Sequence, residues 1–441
     1  MTSRTPNHDL SPMACPGRVE DVDLFGPGAQ EHWYEAYPIL HAEAPVLRIP
    51  GEGLTPGSDG FVLTRYEDVN RVLRDPERFP PTMMLGIQAL LSRGVPPDEV
   101  PNTNAMMVSM ATLRPTHELY RAHRQELTDP WVGPGAARHR DMITGFVDEL
   151  IEAWIDRGEV EFVSEFARPL PQRVMATLLG FPLQDVPRLA EWGNAQVTAF
   201  VYGRGHRNQL SSDEIAEQFV KLDGFKEYVD GTVREKRLHP ADDMISWLCQ
   251  VEYQALGRKL TDMEVNGVVY AMVIGGLETT QYALEEQAQL LCENPERFDQ
   301  IKADRSLIRT FTEESMRLRS PTQGLSTRIT SQDEVFQGVV VPKGSLLHVR
   351  FGAANVDPEE WACPFDMRLD RKAVTRHVAF SAGPRVCPGA GISRLEQQIA
   401  WERLFERLDA IEYAPGNTFE HQPGIMLGTL ALRLRFTRAA A

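Results

Sequence analysis

The stretch FSAGPRVCPG, residues 380–389, places a cysteine inside a turn rich in glycine and proline. Prolines fix the backbone of such a turn, while Gly383 and Gly389 let the main chain come close to another group. Cys387 follows Arg385 by two residues. A turn this rigid and this poor in side chains is unsuited to ordinary core packing. The stretch therefore predicts that the backbone passes close to something bulky, and a bound cofactor is the first candidate.

Composition narrows the class of protein. At 441 residues the chain exceeds one typical hydrophobic core, so it forms either two domains or one large helical domain. A net charge of −16 argues against nucleic acid as the main ligand, because phosphate backbones bind to basic surfaces. The N-terminus has no signal-peptide pattern, and no run of about 18 apolar residues follows it. We therefore expect no membrane association and a cytoplasmic location.

The five cysteines are scattered, odd in number and free of any C-x-x-C spacing, which argues against a disulfide framework or a zinc site. Four of them are expected to be buried thiols. Cys387 alone has surroundings that indicate chemistry.

Hydrophobic periodicity predicts a mainly α protein. Residues 1–30 are rich in proline and glycine and are expected to lie extended, and a single large helical domain is predicted for residues 31–441. Two short strands near residues 45–67 form a small sheet near the N-terminus. The chain is then almost continuously helical to about residue 319, and short strands return at STRITS, EVFQGVVV and SLLHVRF, within residues 326–351. A helix over 389–408 precedes a last strand near the C-terminus. No dinucleotide-binding G-x-G-x-x-G turn is present.

A long central helix carries the second informative motif. Thr261 and Glu264 predict a capping box at its start, and an apolar run leads into GGLETT, residues 275–280. Two adjacent glycines cost roughly 1 kcal/mol each relative to alanine in a helix, so a compensating role is expected. One role is room for a flat ligand beside an acid and an alcohol, Glu278 and Thr279, that relay protons. A kinked core helix with a locally bonded threonine explains the same motif.

Three further patterns are ambiguous by themselves. Glu314 and Arg317 are three apart on a helix, and His117 and Arg121 are four apart, spacings common on solvated surfaces. Between residues 114 and 140 the chain has five arginines and three acidic residues. This excess of positive charge indicates either a solvated face or a buried dianionic ligand. Five of the fifteen methionines, within residues 78–115, are explained equally by core packing and by a pocket lining.

In this order the motifs resemble those of the cytochrome P450 family, and the resemblance covers nearly the whole chain. The cysteine stretch is similar to the haem-binding loop F-x-x-G-x-R/H-x-C-x-G, GGLETT resembles A/G-G-x-D/E-T, and ESMR resembles E-x-x-R. The matching residues of the loop are Phe380, Gly383, Arg385, Cys387 and Gly389. The resemblance implies a cytochrome P450 fold.

The resemblance also implies site residues. Cys387 would be the axial thiolate ligand of the iron of haem b, with Phe380 and Gly389 in its loop. The residues expected to bind the haem propionates are Arg385, His117, Arg121 and Arg328, with His377 as a weaker candidate. Glu314 and Arg317 would be structural, and their usual third partner is left unassigned because the segment CPFDMRLDR is shorter than the family pattern.

Function follows from the same resemblance. Glu278 and Thr279 would deliver protons during dioxygen activation, and Gly275 and Gly276 would leave space for dioxygen and substrate. This implies a monooxygenase that takes electrons from a separate ferredoxin and ferredoxin reductase, so that NAD(P)H acts only indirectly.

The positions expected to face the substrate are mostly apolar: residues 78–115, 194–203, 321–325 and 424–428, with Met272 and Gly275. They favour a hydrophobic small molecule such as a terpenoid, a steroid or an alkyl-aromatic compound. The alternatives are biosynthetic oxidation of a polar or carrier-bound intermediate, and a haem-thiolate sensor without catalysis.

Overall fold

Helices dominate the residues that the computed structural model describes, which are 15–82, 105–199, 210–324 and 327–440. The helices are α1 (Trp33–Glu43), α2 (Tyr66–Arg74), α3 (Ala105–Leu113), α4 (His117–His123), α5 (Arg140–Glu152), α6 (Pro169–Leu179), α7 (Val186–Val197), α8 (Ser212–Leu238), α9 (Met244–Gln250), α10 (Asp262–Gly276), α11 (Thr279–Glu293), α12 (Pro295–Ala303), α13 (Ile308–Leu318), α14 (Phe351–Asn355) and α15 (Ala390–Arg407). The mainly α prediction is confirmed.

Short strands form small sheets beside the helices. The strands are β1 (Val46–Ile49), β2 (Gly60–Leu63), β3 (Glu159–Glu161), β4 (Glu252–Tyr253), β5 (Arg258–Lys259), β6 (Thr327–Ile329), β7 (Glu334–Phe336), β8 (Val339–Val341), β9 (Leu346–Val349), β10 (Leu408–Tyr413) and β11 (Arg433–Arg438). The order β1-β2-β9-β6 defines a four-stranded sheet in which β2 and β9 are parallel. The order β10-β11-β3 defines a second sheet.

Two local predictions need correction. The segment EVFQGVVV is a hairpin of β7 and β8, because Gln337 and Gly338 adopt positive φ angles of 46° and 77° and reverse the chain. The region up to residue 319 is not purely helical, since it contributes β3 and the β4–β5 hairpin. The exposed positions of Cys15 and Cys363 also contradict the expectation of buried thiols there, whereas Cys249 is buried.

The central helix begins where the capping box predicts. The Thr261 Oγ1 atom accepts a hydrogen bond from the backbone N–H of Glu264 at 3.2 Å, and the Glu264 carboxylate accepts one from the N–H of Thr261 at 2.9 Å. The helix α10 is buried along most of its length against α3, α6 and α8. It therefore runs through the core and presents its C-terminal end, residues 275–276, to the candidate site.

The segment before α1 is part of the packed body where the structure describes it. Leu24 and Phe25 are buried in a cluster with Trp33 and Tyr37. Residues 1–14 lie outside the described residues. The boundary at residue 30, and the assignment of residues 31–441 to a single domain, stay predictions.

Candidate haem site

The cysteine loop is a tight turn wedged between α2 and α15. Gly383 has a φ of +68°, and a Cβ atom built on it would lie 2.8 Å from the Cα atom of Arg74. The backbone N–H of Cys387 donates a hydrogen bond to the Phe380 carbonyl oxygen at 2.9 Å. Gly389 is the residue before α15, so Cys387 lies at the N-terminal end of that helix. The loop conformation therefore depends on glycine at position 383.

We predict that Gly383→Ala destabilises the protein by about 2–4 kcal/mol, because it adds a left-handed backbone penalty to a clash with α2. Gly416→Ala is the matched control, since Gly416 also has a positive φ, +91°, with no atom within 4 Å of a built Cβ. Urea denaturation followed by circular dichroism measures both. Equal midpoints for the two variants would contradict the clash with α2.

Two opposing influences act on the Cys387 thiol. Burial raises its pKa, while the backbone N–H of Gly389 and the positive charges of Arg124 and Arg394 act to lower it. Arg124 also donates from Nη1 to the Val386 carbonyl oxygen at 2.7 Å, which fixes the guanidinium beside the loop. The net effect raises the pKa of the thiol, and the positive groups offset part of the cost of forming the thiolate that would bind a metal.

Two buried arginines, Arg114 and Arg328, form a cluster with the half-buried Arg385 of this loop. The guanidinium carbons of Arg385 and Arg114 lie 4.9 and 5.6 Å from the ring centroid of Tyr120. Burial, followed by the charge of Arg385, lowers the pKa of Arg328 to about 10. The Nε atoms of Arg114 and Arg328 are buried without a hydrogen-bond partner, and within the described ranges none of the three arginines forms an ion pair with an acid.

Unpaired buried cations are costly unless an anion neutralises them. Arg114, Arg328 and Arg385 together supply three guanidinium groups, one of them in the cysteine loop itself, which fits the two carboxylates of a haem group next to its thiolate ligand. The residues present therefore fit the cofactor that the cysteine motif implies.

His117 and Arg121 share one face of α4 with Tyr120, because residues three and four apart lie on the same side of a helix. Both side chains are exposed, and Arg121 Nη2 lies 3.1 Å from His117 Nε2. Tyr120, on the same face, packs against Arg385 and Arg114 of the arginine cluster. The propionate role of His117 and Arg121 stays a prediction.

The break between α10 and α11 lies at the GGLETT motif. Thr279 donates from Oγ1 to the carbonyl oxygen of Gly275 at 2.6 Å, which takes this carbonyl out of regular helical bonding. Gly275 is exposed, and a Cβ atom built there would meet nothing within 4 Å. The motif therefore opens the helix and leaves free space beside the threonine hydroxyl.

Gly276 serves a different purpose from the predicted one. A Cβ atom at this position would lie 2.7 Å from Met175 Sδ on α6. Gly276 therefore allows α10 to pack closely against α6, and the open space lies at Gly275. The expectation that both glycines leave room for a ligand is corrected accordingly.

Glu278 precedes α11 and has a perturbed carboxyl group. Burial raises its pKa, and the hydrogen bond from Tyr282 and the charge of Arg168 oppose that rise. The Tyr282 hydroxyl donates to Glu278 Oε2 at 2.8 Å. An acid with a raised pKa keeps its proton to a higher pH than a free carboxyl group does, which suits a relay. Tyr282 was not identified from the sequence.

The third partner of Glu314 and Arg317 is Arg371. Both members of the pair have 0% exposed side chains, and Arg317 bonds Glu314 from Nε and Nη2 at 2.8 and 2.9 Å. Arg371 Nε donates to both carboxylate oxygens of Glu314, at 3.0 and 3.1 Å. Arg371 is the last residue of CPFDMRLDR, the segment in which the partner was left unassigned.

His377 belongs to a separate buried ion-pair group. Its Nε2 atom lies 3.0 Å from Glu313 Oε2, and Arg394 Nη2 donates to the same oxygen at 3.0 Å. These contacts lower the pKa of Glu313 to about 2 despite its burial. The structure therefore places His377 with Glu313 and Arg394, and its role toward the propionates stays a prediction.

The positions expected to line a substrate pocket belong to different hydrophobic clusters of the structure. Val197, Ile425 and Met426 pack together, with Ile274 of α10 against them, whereas Leu427 is buried in the cluster around Trp33. Met272 is buried in the main core. Met83, Met84, residues 200–203 and Leu325 lie outside the described residues.

Within the part of the chain that the structure describes, no helix is both long and apolar enough to span a bilayer.

Comparison with known proteins places these features in a family. The model of the cytochrome P450 family matches residues 208–436, more than half of the 441-residue chain. The chain is 26% identical over 398 residues to the polyketide biosynthesis cytochrome P450 PksS of Bacillus subtilis strain 168, covering 89% of this chain and 93% of PksS. It is 29% identical over 385 residues to the steroid C26-monooxygenase of Mycolicibacterium smegmatis, covering 86% of each.

Solved structures show the same fold. The crystal structure of P450BioI in complex with hexadec-9Z-enoic acid ligated acyl carrier protein aligns with a TM-score of 0.79 at 24% identity, over 92% of this chain and 99% of that chain. The predicted fold is thereby confirmed. The chain belongs to the cytochrome P450 family and is a monooxygenase of that family.

Proposed function

We propose that this protein binds haem b through Cys387 and uses dioxygen to hydroxylate a hydrophobic small molecule. The observation that carries the proposal is the open helix at Gly275, where the Thr279 hydroxyl adjoins free space and the acid Glu278 is the preceding residue. Membership of the cytochrome P450 family implies the haem cofactor. A sensor without catalysis has no use for an acid and an alcohol at such an opening.

Each residue has a specific task in this proposal. Arg114, Arg328 and Arg385 would neutralise the propionates, and the Cys387 thiolate would hold the haem iron. The Tyr120 ring packs against Arg385 and Arg114. When bound, haem supplies the redox chemistry that activates dioxygen, and a thiolate ligand favours O–O cleavage. Thr279 holds a proton at Oγ1, and Glu278 replaces it from a carboxyl whose pKa is raised by burial.

Electrons would come from a separate ferredoxin, reduced by an NAD(P)H-dependent reductase. Arg138 and Arg140 are engaged with Asp242 and Glu402, and Arg124 with Asp129. His117 and Arg121 are exposed, and in the described residues neither forms an ion pair with an acid. We therefore propose that positive charge on the segment 114–140 docks an acidic ferredoxin, apart from the groups that bind the propionates.

We predict that Arg121→Glu lowers the haem content of the purified protein severalfold, because it places a carboxylate where a haem propionate is expected. Arg138→Glu is the matched control, because its wild-type charge is already paired with Asp242. The absorbance ratio of haem to protein measures the content. A wild-type haem content in Arg121→Glu would contradict the propionate role of Arg121.

The substrate side supports a hydrophobic compound. Val197, Ile274, Ile425 and Met426 supply apolar surface beside Glu278, without a fixed charge of their own. The steroid monooxygenase among the relatives is consistent with a terpenoid, steroid or alkyl-aromatic substrate. An acyl chain presented by a carrier protein is the second candidate, favoured by the names of PksS and of the P450BioI complex.

Reconstituted turnover tests the function. The purified protein is combined with a surrogate ferredoxin, its reductase and NADH, and with a panel of compounds chosen by their effect on the haem spin state. We expect an oxygenated product from a steroid, terpenoid or alkyl-aromatic member. NADH consumption without product from any compound, free or carrier-bound, would contradict a monooxygenase role. Product from carrier-bound acyl chains alone would favour the second candidate.

A further inference from the structure

The Glu278 carboxyl has a partner one helical turn along α11. Tyr282 donates from its hydroxyl to Glu278 Oε2 at 2.8 Å, and its side chain is buried, with 4% exposed. Hydrogen bonds to an ionised carboxylate are stronger than those between neutral groups. One oxygen of the acid is therefore held by a phenol that takes no part in the relay of the proposed function.

The position of the Tyr282 ring is fixed from the other side by residues 425–428. A Cβ atom on Gly428 would lie 2.1 Å from Tyr282 Cδ1, so the ring packs directly on the backbone of this residue. Ile425 and Met426 belong to the same buried cluster as Tyr282, together with Val197. The ring cannot move unless this segment moves with it.

Residues 425–428 are in turn bonded to residues 321–323. The N–H of Gln323 donates to the Ile425 carbonyl oxygen at 3.0 Å, and the N–H of Leu427 donates to that of Pro321 at 2.8 Å. Both segments are among those expected to face the substrate. A single aromatic ring therefore links the substrate-facing segments to the acid.

We propose that Tyr282 is a positioning residue that orients the Glu278 carboxyl and couples this orientation to the packing of residues 425–428. The inference rests on the proposed function, because it assigns Glu278 to the relay. The other charged group facing Glu278 is Arg168, which lies next to the start of α6. A displacement of residues 425–428 moves the ring, releases one carboxylate oxygen and leaves Arg168 as the remaining stabilising charge.

Tyr282→Phe tests this role, since it keeps the ring and removes the donor. The hydrogen bond favours the carboxylate, so its loss lets burial raise the pKa of Glu278 further. We expect the inflection in the pH profile of product formed per NADH to move up by about one pH unit, with the melting temperature unchanged. Packing alone would leave the profile in place, so an unshifted inflection in Tyr282→Phe contradicts the proposal.

Two further variants complete the test. Gly428→Ala keeps the hydroxyl but displaces the ring, so the inflection is expected to move in the same direction; an unshifted inflection in the folded variant contradicts the coupling to residues 425–428. Glu278→Gln should lack the inflection. If it keeps the wild-type profile, the relay role in the proposed function fails; if it lacks the inflection while Tyr282→Phe keeps it, the inference about Tyr282 alone fails.

Discussion

Replacing Glu314 by glutamine is expected to lower the free energy of unfolding by about 3–5 kcal/mol, because one partner of a fully buried ion pair is lost. The carboxylate accepts hydrogen bonds from Arg317 and Arg371 and lies with 0% of its side chain exposed. A neutral amide offers one oxygen to two guanidinium groups and leaves both charges uncompensated in the core. Arg317 also donates hydrogen bonds to the carbonyl oxygens of Asn355 and Pro364 at 2.7 Å. Loss of the ion pair is therefore expected to destabilise the segment before the cysteine loop as well.

Urea denaturation of the haem-loaded protein, followed by circular dichroism, measures this effect. Glu159→Gln is the control, because Glu159 pairs with Arg435 at the surface, and its midpoint should match the wild type. Failure of Glu314→Gln to accumulate in folded form agrees with the prediction. A Glu314→Gln protein with the wild-type midpoint would contradict it.

Replacing Thr279 by alanine is expected to cut the product formed per NADH about tenfold or more and to release hydrogen peroxide instead. The hydroxyl that bonds the Gly275 carbonyl oxygen is lost, while the apolar residues of the substrate side are unchanged. Substrate affinity, measured from the spin-state shift, should therefore remain within about twofold of the wild-type value.

Thr280→Ala is the matched control for the threonine. The Thr280 hydroxyl is buried and bonds Ser393 Oγ at 2.9 Å, so it does not reach the opening at Gly275. The product formed per NADH should match the wild-type value in Thr280→Ala. It should also be close to that value in Thr279→Ser, which keeps a hydroxyl. Unchanged coupling in Thr279→Ala would show that Thr279 does not hold the proton.

Local signals predicted the elements that depend on neighbouring residues. The capping box at Thr261 and Glu264 is present because both partners lie within one helical turn. The glycine-rich cysteine loop is a tight turn because Gly383 must adopt a positive φ against α2. Conversely, the hairpin at Gln337 and Gly338 was missed, because alternating apolar residues predict one strand as readily as two.

Other features depend on contacts between residues far apart in the sequence, so local sequence patterns could not predict them. Arg371 reaches Glu314 across 57 residues, and the role of Gly276 depends on Met175 of α6. The role of Tyr282 depends on the packing of its ring against Gly428, which is distant in the sequence, as well as on its hydrogen bond to Glu278.

The most direct test of the central claim is the carbon monoxide difference spectrum of the purified, dithionite-reduced protein. Binding of haem iron by the Cys387 thiolate predicts the strongly red-shifted Soret band that gives the family its name, and its loss in Cys387→Ala. A band at the position of histidine-ligated haem, or no Soret band at all, would contradict the assignment of Cys387.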